Sequence, residues 1–119
     1  MQGDSLHRYH SMILWYNLAM KLIINTENSK LVKVALGNES QRVATLSDEN
    51  EWGSQVLLPL IEKILKENGV EYKDLDEVLI STGPGSFTGL RVGVSVANAL
   101  GYSLGIPVNG KKMEVELEY

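Results

Sequence analysis

The hydrophobic pattern changes period several times between residues 20 and 110, and each change predicts a new element. Residues 21–25 read as a first strand, and Asn25-Thr26-Glu27-Asn28-Ser29 as a polar turn. In residues 31–36, Val32, Val34 and Leu36 alternate with Lys33 and Ala35, the period of a half-buried strand. Gly37-Asn38 marks a reversal, and residues 41–46 return as a third strand, completing an antiparallel meander. The period then lengthens. Leu57, Leu60, Ile61, Ile64 and Leu65 recur at helical steps, predicting a helix from Gly53 or Ser54 to Asn68-Gly69, where glycine suits a left-handed cap. Pro59 fits only within the first turn or so, which pulls the expected start towards Ser54. Residues 70–76 connect to Val78, Leu79 and Ile80, a continuous apolar run that suits a central strand covered on both faces.

Residues 81–110 form the stretch around which the chain is arranged. Gly83-Pro84-Gly85 ends the strand, and the hydroxyls of Ser86 and Thr88 are both placed to cap a following helix. From Gly89 onward, Leu90, Val94, Ala97, Leu100 and Leu104 make a buried stripe. Gly89, Gly93, Ala97 and Gly101 recur every four residues and leave one ridge almost bare. Glycine inside a helix costs about 0.8–1 kcal/mol relative to alanine, so Gly93 needs a compensation, and the expected one is a second helix packed closely along the ridge. Arg91, Ser95, Asn98 and Tyr102 form a polar stripe that faces solvent or a partner. Ile106, Pro107 and Val108 suggest a short fifth strand, and Asn109-Gly110 is a two-residue hairpin signal. Met113, Val115, Leu117 and Tyr119 then alternate with Glu114, Glu116 and Glu118, as in a half-buried strand. The whole is an α/β pattern with helices expected on one face of the sheet.

The string GPGSFTGLRVG, followed at helix length by GIPVNG, resembles the signature of the TsaB (YeaZ) family, and the likeness extends more loosely over residues 20–110. The resemblance implies the first lobe of an actin-like ATPase (RNase H-like) fold, a mixed five-stranded sheet with helices packed on it. It divides the chain into an extension or leader at 1–19, the lobe at 20–110 and a strand or tail at 111–119. It also implies a cytoplasmic subunit in the synthesis of threonylcarbamoyladenosine in tRNA, without an active site of its own. Such a subunit binds and supports a TsaD-like catalytic subunit, works alongside a TsaE-like ATPase and forms a homodimer when the catalytic partner is absent. No cofactor is expected in this chain. ATP, a divalent metal and the transfer of threonylcarbamoyl from its adenylate to tRNA belong to the partner. Relatives continue into a second lobe, so this chain is either a one-lobe form or a fragment.

Composition narrows the chemistry. The 119 residues hold no cysteine, which removes disulfides and thiolate catalysis and suits a reducing compartment. A formal charge of -4 argues against a phosphate-gripping surface, so tRNA contact is expected only through a partner. The apolar patch at residues 12–18 is far short of the roughly 20 residues that span a bilayer. A zinc site from Asp4, His7 and His10 lacks a third strong ligand.

Asn25 stands where actin-like ATPases carry the aspartate that serves metal and phosphates. Asparagine is neutral, and its expected role is a turn residue bonded to its own backbone. Gly83, Gly85, Ser86 and Thr88 are candidates for a phosphate-binding loop, with a structural elbow as the plainer reading, because Pro84 removes an amide and the glycine spacing is not that of a dinucleotide fingerprint. A hydrolase is disfavoured, since Ser81, Ser86 and Ser95 have no histidine beside them in the sequence pattern of the lobe. Trp52 is open between packed aromatic and partner anchor. The favoured function is docking, with Leu57, Ile61, Gly89, Gly93, Ala97 and Gly101 forming or supporting a helical interface and Arg91 at its rim.

Overall fold

A computed structural model describes residues 20–28, 30–37, 42–49 and 53–111. The expectations for residues 1–19, including Asp4, His7 and His10, for Asn38 and Trp52, and for the alternating tail at 112–119 lie outside the described residues.

Successive side chains on a strand point to opposite faces, and this rule organises the sheet. Strand β1 (Lys21–Asn28) sends Leu22, Ile24 and Thr26 to one side and Lys21, Ile23 and Asn25 to the other. Strand β2 (Leu31–Gly37) pairs antiparallel with β1, setting Val34 opposite Ile24, and strand β3 (Arg42–Glu49) pairs antiparallel with β2, setting Leu46 opposite Val34. Strand β4 (Glu77–Ile80) runs parallel to β1, with Val78 beside Leu22 and Ile80 beside Ile24. The order across the sheet is β3-β2-β1-β4. This register gathers most of the buried apolar residues on one face, and both helices cover that face. Helix α1 (Gly53–Glu67) packs on β2 and β3, helix α2 (Phe87–Leu104) packs on β1 and β4, and the two helices touch. Leu57, Ile61, Ile64 and Leu90 are fully buried between the layers. The one-sided arrangement and the meander agree with the sequence pattern.

Helix ends follow local chemistry. The Ser86 hydroxyl accepts the Gly89 N–H, so Ser86 alone caps α2, while Thr88 lies inside the first turn and is exposed. Helix α1 ends as expected at Asn68-Gly69. Gly69 has φ of 67°, Val70 N–H donates to Leu65 O at 2.9 Å and Gly69 N–H to Lys66 O at 3.3 Å, the bonds of a Schellman cap.

Several expectations are corrected. Strands β1 and β3 run three residues further than the alternation indicated, because their ends keep pairing with β2, so residues 26–28 belong to a strand and not to a turn. Pro59 lies in the second turn of α1, not the first. Its ring is exposed and the Gln55 carbonyl it deprives of a bond belongs to an exposed residue, so water can replace the missing donor. Strand β4 is not covered on both faces: Val78 and Ile80 are buried under α2 while Leu79 is only half-buried on the face away from the helices. Four strands are formed among the described residues, not five. In place of the fifth, residues 107–109 line the outer edge of β4 through a single parallel bridge from Val108 to Val78. The Asn109 side chain completes that edge, its Nδ2 donating to Ile80 O at 2.9 Å and its Oδ1 accepting from Ile80 N–H at 2.8 Å. Asn109 and Gly110 both have positive φ, and Val108 bonds back to Lys111, which is the expected two-residue hairpin turn.

The compensation for the bare ridge of α2 lies within the chain. A Cβ built on Gly93 would stand 2.2 Å from Thr26 Oγ1 and 2.9 Å from Ile80 Cδ1, and one on Gly101 would stand 2.5 Å from Val108 Cγ2. Helix α2 therefore lies directly on β1, β4 and residue 108, and the missing side chains are what permit that approach. Thr26, buried to 2% exposure, uses the gap to donate its hydroxyl to Gly89 O at 2.7 Å.

Gly93→Ala is consequently expected to destabilise the protein by about 1 kcal/mol, since an overpacking cost of about 1–3 kcal/mol exceeds a helix-propensity gain of about 1 kcal/mol. Urea denaturation measures it, and a neutral or stabilising result would mean that the notch is not tight. The Thr26→Ala/Gly93→Ala pair is expected to be more stable than the sum of the two single changes, because removing the hydroxyl vacates the space the new methyl needs.

Candidate functional site

The elbow between β4 and α2 is clasped onto the end of β1. A Cβ on Gly85 would lie 2.9 Å from Glu27 Cβ and 3.0 Å from Glu27 O, so only glycine allows the loop to rest there. Ser86 N–H donates to Glu27 O at 2.7 Å, and the Ser81 hydroxyl donates to the Glu27 carboxylate. As a phosphate cradle, Gly83, Gly85, Ser86 and Thr88 are poorly arranged. Pro84 has no N–H, the Ser86 N–H and hydroxyl are already bonded, and a carboxylate stands beside Ser81 where an anion would meet repulsion. The geometry is that of a structural elbow.

Asn25 makes the local bond of a turn residue, its Oδ1 accepting Glu27 N–H at 3.0 Å. No cluster of three metal-ligating side chains occurs among the described residues.

The interface residues read from the sequence divide into two groups. Leu57, Ile61, Gly89, Gly93, Ala97 and Gly101 are all buried in the chain's own core, and the expectation that the bare ridge faces a second subunit is corrected. The sheet already fills it. Arg91 is exposed, on the opposite side of α2.

That opposite side carries large exposed side chains. Phe87, Arg91, Ser95 and Tyr102 follow one another at helical spacing, with Phe87 53% and Tyr102 90% exposed. The Arg91 guanidinium lies over the Phe87 ring, 5.2 Å from its centroid, which holds the charge in a fixed place on the surface. Asn98, on the same polar stripe, is half-buried, and its side-chain oxygen has no hydrogen-bond partner among the described residues. On α1, Leu58 is 47% exposed. The sequence pattern missed Phe87 and Leu58. Both had a signal: Phe87 stands one turn before Arg91, and Leu57-Leu58 are adjacent on a helix, so only one can face the core.

No helix among the described residues is long and apolar enough to cross a membrane.

Comparison with known proteins places this arrangement. The model of a family described as TsaD, tRNA N6-adenosine threonylcarbamoyltransferase, matches residues 53–111, which span α1, β4, the elbow and α2. The TsaB threonylcarbamoyladenosine biosynthesis protein of Buchnera aphidicola subsp. Schizaphis graminum is 44% identical over 54 residues, covering 45% of this chain and 26% of that protein. A tRNA N6-adenosine threonylcarbamoyltransferase of Nitrosospira multiformis is 52% identical over 54 residues, covering 45% of this chain and 16% of that protein. Among solved structures, YeaZ from Pseudomonas aeruginosa is similar with a TM-score of 0.69 and 29% identity, over 76% of this chain and 42% of that chain. The chain thus spans less than half the length of the relatives it matches. Its mixed sheet with helices on one face fits the actin-like (RNase H-like) architecture. The backbone is similar to YeaZ over most of this chain and the sequence to TsaB-named proteins over a shorter stretch, so the TsaB (YeaZ) family is the one this chain resembles.

Proposed function

We propose that this chain is a non-catalytic docking lobe in the synthesis of threonylcarbamoyladenosine in tRNA, and that it binds and supports a TsaD-like catalytic subunit through the outer face of α2. The observation that carries this reading is the division of α2 into two faces. One is consumed by the chain's own sheet, and the other leaves Phe87, Arg91 and Tyr102 exposed along a rigid, capped helix. Aromatic residues and arginine are the side chains over-represented in protein interfaces, because each buries a large area with few torsions to freeze. The kinship of this segment with both TsaB-named and threonylcarbamoyltransferase-named proteins supports a partner built from a similar lobe, able to present a matching helix.

In this reading the chemistry lies with the partner. It holds the nucleotide and divalent metal and transfers the threonylcarbamoyl group, a TsaE-like ATPase joins the same cytoplasmic assembly, and the exposed face of α2 is shared by two copies when the catalytic subunit is absent. The chain's net charge of -4 suits contact with a protein better than direct contact with tRNA.

Tyr102→Glu and Arg91→Glu are each expected to weaken capture of a TsaD-like subunit at least tenfold, roughly 1.4 kcal/mol, with circular dichroism unchanged because both side chains point to solvent. Retained affinity in both folded variants would remove α2 as the dock. Incubated alone with ATP and magnesium, the chain is expected to release phosphate at the background rate. Turnover above background would favour a nucleotide-hydrolysing, kinase-type half-domain acting as a homodimer.

A further inference from the structure

The face of the sheet turned away from the helices holds a basin of about 350 Å3, within the range of about 300–1,000 Å3 that small-molecule sites occupy. Strand register fixes its layout. Ile23 faces Leu79 on one side and Ala35 on the other, giving an apolar floor, and Thr45 lies beyond Ala35. Asn25 and Lys33 are cross-strand neighbours towards one end, and Arg42 pairs with Gly37 towards the other. Lys33 and Gly37 are four residues apart on β2, so the two cationic side chains rise from points about 13 Å apart and can converge over the floor.

Hydrogen-bond accounting shows what this basin lacks. The Asn109 amide is committed at both ends to Ile80, the Ser81 hydroxyl is committed to Glu27, and Asn25 Oδ1 is committed to Glu27 N–H. Glu77 is paired with Lys21 at 2.9 Å. Four groups are left without a partner among the described residues: the Lys33 ammonium, the Arg42 guanidinium, the Asn25 Nδ2 and the Thr45 hydroxyl. The first three only donate, and two of them carry a positive charge. Lys33 and Arg42 are exposed and hydrated, so a neutral apolar molecule would draw nothing from their charges, a cation would be repelled and an anion would be attracted.

We propose that this basin binds a small organic anion: an apolar or aromatic body resting on Ile23, Ala35 and Leu79, with a phosphate, sulfonate or carboxylate group held by Lys33 and Arg42. The basin opens on the opposite side of the sheet from α2, so its occupancy is independent of the docking face.

Phenyl phosphate titrated into the full 119-residue chain and followed by backbone amide shifts tests this. Saturable shifts centred on Ile23, Ala35 and Leu79 are expected, with an affinity at least tenfold above that of inorganic phosphate and of benzyl alcohol, which each supply only half of the ligand. Lys33→Gln/Arg42→Gln changes two exposed residues and is expected to weaken phenyl phosphate binding at least tenfold while leaving the amide spectrum folded. Binding of phenyl phosphate no tighter than inorganic phosphate, shifts centred elsewhere, or affinity unchanged in the double variant would each overturn the assignment.

Discussion

The bond from the Thr26 hydroxyl to Gly89 O, made through the space left by Gly93, is the constraint on which the rest of this fold depends. It joins the first strand to the first turn of the last helix across 63 residues of chain. A buried hydroxyl without a partner costs about 1–3 kcal/mol, so Thr26 at this depth requires α2 at this distance. Any larger residue at position 93 would push the helix away and leave the hydroxyl unanswered. The elbow repeats the same device at shorter range, where Gly85 permits contact with Glu27 and Ser86 N–H completes it. Together the two contacts fix both the height of α2 above the sheet and the point at which it starts.

That fixed position has a consequence for function. Because the small residues of α2 are used against the sheet, the helix presents larger residues outward, Phe87, Arg91 and Tyr102 among them. The close approach that the glycines permit is used on the inside, where strand β1 takes the place that a second helix was expected to fill. The sheet's other face is built differently again, with Ile23, Ala35 and Leu79 in its middle and Lys33 and Arg42 towards its ends.

The local chemistry was plain in the amino-acid order. Alternation in residues 31–36, three- and four-residue steps in residues 57–65, the Asn68-Gly69 stop, the serine cap at Ser86 and the Asn109-Gly110 turn each depend on near neighbours, and each occurs in the structure as read. Less visible were the far ends of β1 and β3. Their final residues are polar and belong to strands only because β2 runs alongside them. The same holds for β4, whose unbroken apolar run suggested two covered faces although its pairing leaves Leu79 half-buried.

By itself, then, the sequence determined the elements, the elbow, the caps and the kinship carried by GPGSFTGLRVG, because those rest on propensities and spacings within a few residues. Only the tertiary structure decided what the small-residue ridge is for. A strip of glycine and alanine at intervals of four says that something must come close, and says nothing of what does. Thr26 meets it from far along the chain and Ile80 from the strand beside it, and those contacts are set by how β1 and β4 pair, a property that no local pattern encodes.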